Sequence, residues 1–212
     1  MRQMEQAVRL LQMALGLIKW QNYPEALSMI DEGFQQFFGF DSNFVNAMPL
    51  EYLLGMLRQG EVLDADGCLL MAALLKAEGQ IYEAAGDDER AYHRYVRTLR
   101  LILAVFESQR AHSCPPAWGE VDEVVGKLAQ FELPIDLQER LFHYYKAQAR
   151  YADAEDVFWQ WVEAGEFNQH IVDTGRIFYQ ALLALSDEAL LTGGLSRSEV
   201  QAGLEEILDF RF

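Results

Sequence analysis

Apolar residues recur at steps of three and four along almost the whole chain, and nowhere do they alternate singly over the length of a strand. The pattern predicts helices throughout. Met4, Ala7, Val8, Leu11, Ala14, Leu15 and Ile18 mark the buried side of a first helix over residues 2–21, which Asn22-Tyr23-Pro24 breaks. Pro24 suits the first turn of a second helix running to about residue 38. Residues 39–49, with Phe40, Phe44 and turn formers, read as a connection to a short helix over 49–59 that Gly60 ends. Asp64 or Asp66 caps a long helix to residue 85. Ala85-Gly86-Asp87-Asp88 turns the chain into a partner helix ending near residue 109.

Ala111-His112-Ser113-Cys114-Pro115-Pro116 is the clearest linker. It joins an N-terminal part, 1–110, to a C-terminal part, 117–212, of one domain. Helices are expected over 117–131 and 136–150, then one carrying Ala154, Val157, Phe158, Trp161 and Val162 at core spacing. Segments 168–185 and 187–191 follow. Ser196-Arg197-Ser198-Glu199 is a capping box that opens the last helix. The expected fold class is all-α, with eight to ten helices.

One hairpin pattern returns three times. Gly79 and Tyr82 share a face of one helix, and Ala91, Tyr95 and Leu99 share a face of its partner. Ala26, Ile30 and Phe34 repeat the partner positions. Tyr145, Ala154 and Phe158 do so again, with Phe142 standing where Gly79 stood. These positions resemble the tetratricopeptide repeat (TPR), a helical-hairpin module. The resemblance implies a right-handed stack of antiparallel hairpins, with Ala91 opposite Gly79 where two helices touch. It also implies a non-enzymatic scaffold or adaptor for a protein or peptide. The ligand groove would be lined by the first helix of each hairpin: Lys76, Gln80 and Glu83, then Glu139, His143 and Lys146. Residues 50–59 and 185–208 further resemble an uncharacterised group of bacterial proteins, which implies no activity.

Charge narrows the partners. Lys and Arg number 17 against 33 Asp and Glu, a net charge of −16, which argues against nonspecific attraction to nucleic acid or an anionic membrane surface. Cys68 and Cys114 cannot build a disulfide framework, so a reducing, cytoplasmic setting is expected. No apolar run approaches transmembrane length.

No GxSxG, HExxH or nucleotide-binding glycine loop occurs, so no catalytic residue, metal or cofactor is assigned. His112 and Cys114 sit in the linker without companion ligands, and His93, His143 and His170 fall on separate helices. Asp64-Ala65-Asp66-Gly67 begins like a calcium loop but lacks its later ligands, which leaves helix capping. Arg90, Arg94 and Arg97 share a helix face and offer an anion or acidic-partner contact. Pairing with the abundant carboxylates, some on the neighbouring helix, is the plainer reading. Trp118, Phe158, Trp159 and Trp161 read mostly as packing, with Trp159 off the stripe and exposed or interfacial. A homodimer through the C-terminal helices with Phe210 and Phe212 is one alternative function. A small-ligand sensor or enzyme using His143 is another.

Overall fold

Periodic segments become helices in the computed structural model, which describes residues 2–109, 115–164 and 169–209. The fold is all-α. Twelve α-helices lie among the described residues, against the eight to ten expected. Part of the excess is a helix in the stretch that reads as a connection, Ser42–Ala47, whose cap Asp41 accepts from the Phe44 amide at 2.7 Å. A two-residue-per-strand hairpin, β1 (Arg58–Gln59) with β2 (Val62–Leu63), was also unforeseen. It turns at Gly60, whose φ of +67° favours glycine. Residues 110–114, with His112 and Cys114, lie outside the described residues, as do Phe210 and Phe212.

Two compact units divide the chain, Met1–Glu132 and Leu133–Phe212. The first holds α1 (Arg2–Ile18), α2 (Tyr23–Phe38), α3 (Ser42–Ala47), α4 (Leu50–Met56), α5 (Ala65–Ala84), α6 (Asp88–Ser108), a 3-10 turn Pro116–Trp118, and α7 (Val121–Leu128). Helix α5 is its axis. Asp64 caps it by accepting from the Gly67 amide at 2.9 Å. From Cys68 to Ile81 only Lys76 and Gln80 escape full burial. Helices α1, α2 and α6 pack against it, and α7 packs against α6.

The turn between α5 and α6 uses Gly86 at φ +78°, and Asp87 caps α6 through the Arg90 amide at 3.0 Å. Ala91, Tyr95 and Leu99 are buried on α6, as Ala26, Ile30 and Phe34 are on α2. One partner differs from expectation. A Cβ on Gly79 would meet the Tyr95 ring at 2.8 and 3.0 Å and the Arg94 Cβ at 3.2 Å. Gly79 therefore makes room for a tyrosine ring, not for Ala91.

The second unit holds α8 (Ile135–Ala147), α9 (Tyr151–Ala164), α10 (Gln169–Leu183), α11 (Asp187–Thr192) and α12 (Arg197–Asp209). Phe142 replaces a small residue by becoming the centre of an aromatic cluster. Its ring centroid lies 5.6 Å from Phe158, 5.1 Å from Phe178 and 6.4 Å from Trp161. The capping box is formed: Glu199 N donates to Ser196 Oγ at 3.2 Å, and Ser196 N to Glu199 Oε2 at 2.7 Å. Arg197 donates to the carbonyls of Leu183 and Leu185 at 2.9 and 2.6 Å, closing the end of α10. Trp159 is half-buried, its Nε1 donating to Tyr179 Oη at 3.0 Å. The hydroxyl gives the indole N–H a partner inside the unit, so the ring that periodicity left exposed or interfacial is half-buried.

Candidate functional site

Lys76, Gln80 and Glu83 follow at steps of four and three along α5, and side chains of α7 meet all three. Lys76 Nζ lies 2.7 Å from Glu123 Oε2 and donates to the Ala117 carbonyl at 2.8 Å. Gln80 Nε2 donates to Glu123 Oε1 at 3.4 Å. Lys127 Nζ lies 2.9 Å from Glu83 Oε2, which also accepts from Tyr95 Oη at 2.7 Å. Beneath these polar contacts α7 buries Val121, Val124 and Leu128. Partial burial works against ionisation of Glu83, but the Tyr95 and Lys127 contacts outweigh it and hold the carboxyl below its ordinary value. Burial, then the Glu83 carboxylate, pushes the Tyr95 hydroxyl up. The Lys76 side chain keeps only 12% of its exposure. This face of α5 is occupied by the chain itself.

Sequence reasoning missed the residue between them. Glu78 is 4% exposed and joins α5 to α6 and α3. Arg94 Nε lies 2.9 Å from its Oε2, Ser42 Oγ donates to its Oε1 at 2.8 Å, and Asn46 Nδ2 to its Oε2 at 3.4 Å. The available signal was a lone carboxylate inside the apolar run 68–81, with an arginine on the partner helix.

The other two arginines differ from Arg94 and from each other. Exposed Arg90 pairs with Asp87, 2.5 Å away in the same turn. Arg97 donates to the Met48 carbonyl at 2.8 and 2.5 Å and to that of Val45, at the end of α3. Burial, then Arg100 and Arg94, hold Arg97 below the ordinary guanidinium value.

Glu139, His143 and Lys146 lie on α8, in the other unit. His170 Nε2 is 3.0 Å from Glu139 Oε1, both near the surface. His143 is exposed. Lys146 Nζ stands 5.6 Å from the Phe142 ring centroid. His93 lies exposed on α6. Among the described residues no group of three or more His, Cys, Asp or Glu is placed to hold a metal ion, and no helix is long and apolar enough to cross a membrane.

A recess does open in the first unit, where α1, the end of α2 and the start of α5 meet. It is a cleft of about 340 Å³ of mixed lining, in which Gln3, Asp64, Asp66 and Gly67 stand with Met4, Phe37, Phe38, Leu57 and Leu70. Phe38 reaches it from an aromatic row, its ring centroid 6.4 Å from Phe34 and 5.9 Å from Phe40. This volume is at the small end for a site that takes a ligand or a side chain.

A family model described as a family of unknown function (DUF6483) matches residues 1–211. No curated protein and no solved structure matches the chain.

Proposed function

The chain belongs to the DUF6483 family, a family of unknown function, and from its geometry we propose that it is a non-enzymatic scaffold that takes a short segment of another protein. In this reading α1–α2 and α5–α6 serve as tetratricopeptide-like hairpins, and the cleft at their common end receives the segment. The cleft carries the proposal. The face bearing Lys76, Gln80 and Glu83 is engaged by α7, whereas the cleft is open and sets Met4, Phe37 and Phe38 beside the carboxylates of Asp64 and Asp66. An apolar side chain flanked by Lys or Arg suits both features, because its hydrocarbon leaves water while its cations meet Asp64 and Asp66. The net charge of −16 steers such a segment inward.

The test is fluorescence anisotropy with two labelled peptide series sharing a Leu or Phe anchor, one flanked by Lys and one by Glu. The Lys series should bind saturably and weaken with salt. Phe38→Ala and Asp66→Asn should each lower the affinity by roughly fivefold or more. Equal binding of both series, or indifference to both substitutions, would sink the reading.

A further inference from the structure

Helix α1 has a second side that packing within the chain does not explain. Its buried side is Ala7, Leu11 and Ala14. Opposite them stand Arg9, Met13 and Gly16, at steps of four and three, and Trp20 follows in the turn. Met13 is 57% exposed and Trp20 is 82% exposed. Trp20 is the most exposed of the large apolar side chains among the described residues, and Met13 stands about two helical turns before it.

Gly16 lies between them in the helix. A Cβ built there meets nothing within 4 Å, so no neighbour in the chain requires a glycine, which is a poor helix former. Close approach of an outside backbone does call for one, as small residues do wherever helices cross tightly. The charge is also local. Residues 3–20 carry Arg9 and Lys19 against Glu5, a net +1 in a chain of −16. Two α1 helices facing each other would repel, whereas an acidic partner is attracted.

We propose that Arg9, Met13, Gly16, Lys19 and Trp20 form a docking surface for an acidic amphipathic helix of another protein. The partner's backbone lies over Gly16, its apolar stripe between Met13 and Trp20, and its carboxylates against Arg9 and Lys19. This is helix recognition by an apolar seam with charged flanks. It is separate from the cleft, which lies on the other side of α1 and favours the opposite charge.

The experiment uses the full chain and two labelled peptides designed as amphipathic helices with one Leu/Ala stripe, flanked in one by Glu and in the other by Lys. The Glu-flanked peptide should bind saturably and shift tryptophan emission to the blue, since Trp118 and Trp161 are already buried and Trp159 half-buried. Trp20→Ala and Gly16→Leu should each weaken it by about tenfold. Gly16→Leu should melt no lower than the parent, so its effect cannot be put down to unfolding. Phe38→Ala, in the cleft, should leave this binding unchanged, which lets the two sites fail separately. Unchanged affinity in Trp20→Ala or Gly16→Leu overturns the proposal, and so does equal binding of the Lys-flanked peptide. A parent that sediments as a dimer, with Trp20→Ala a monomer, would assign the face to a second copy. Phosphatidylglycerol vesicles that retain the parent but not Trp20→Ala would assign it to lipid. Either result replaces the proposal.

Discussion

Removing Arg94 should cost far more than removing Arg90, although both stand on one helix face four residues apart. Arg94 and Glu78 have side chains only 12% and 5% exposed, with nitrogen and oxygen 2.9 Å apart. At that distance and an effective dielectric of about 20 the attraction is about 6 kcal/mol. Burying both charges offsets much of this, so the pair as a whole adds little. Losing one member is different. In Arg94→Ala the Glu78 carboxylate stays buried with Ser42 and Asn46 as its remaining hydrogen-bond donors, at a cost of about 3–5 kcal/mol. Against a typical total stability of about 5–15 kcal/mol, this is a large fraction. Urea unfolding followed by circular dichroism should show the midpoint fall by roughly 2 M. Arg90→Ala, which removes an exposed pair within one turn and a stack of the exposed guanidinium on the Tyr82 ring, should lower the midpoint by less than about 0.5 M. Glu78→Leu combined with Arg94→Met should recover most of the loss, short of what Ser42 gives up with its acceptor. A fall of less than about 0.5 M for Arg94→Ala would refute the buried pair and the packing of α5 on α6 described above.

Gly79→Ala should destabilise by about 1–3 kcal/mol, because its Cβ would sit 2.8 Å from the Tyr95 ring; a thermal melt equal to the parent's would show that the hairpin gives way freely. Glu155 is held above its ordinary value of 4.5, first by burial and then by Asp156, Glu199 and Glu206, against the hydrogen bond from Tyr179. The folded state thus binds this proton more tightly than the unfolded chain, so its contribution is favourable at low pH and is lost as pH rises above 4.5. Glu155→Gln should therefore melt increasingly above the parent as pH climbs from 4 towards 8, and a flat or shrinking gap between the two curves would contradict the assignment. Burial, with Asp64 nearby, pushes the Cys68 thiol up to about 12, so mass spectrometry should find Cys68 unlabelled by a thiol reagent in the native chain and labelled in urea; rapid native labelling would mean that α5 opens readily.

Much of this fold was legible because periodicity reports burial directly. The stripes of α2, α6 and α9 are buried where their spacing placed them, and Ser196 with Glu199 formed the box their types suggested. What escaped notice was short or depended on neighbours. Helix α3 is six residues long, too few for a period to show, and is held by its Asp41 cap. Glu78 looked like one more charge because nothing local says that Arg94 lies across from it. The tetratricopeptide resemblance implied Lys76, Gln80 and Glu83 as one groove face, but a repeat pattern carries no information on where a later helix docks, and Glu123 and Lys127 of α7 reach that face. The cleft was invisible for the same reason. Met4, Phe38, Leu57 and Asp66 come from separate segments, and only their packing makes them neighbours.

The near-continuous burial of α5 from Cys68 to Ile81 bears on how the chain is made. Thirteen of its twenty residues are buried, and they point towards both earlier and later parts of the sequence. During synthesis α5 leaves the ribosome with α1 and α2 already available to one flank, while the flank meant for α6 stays wet until about twenty further residues have emerged. A nascent chain halted in that interval displays a continuous greasy rod, attractive to chaperones and to other unfinished copies. Expression trials that cut the protein between α5 and α6 should yield inclusion bodies, so the smallest useful fragment must extend through α6.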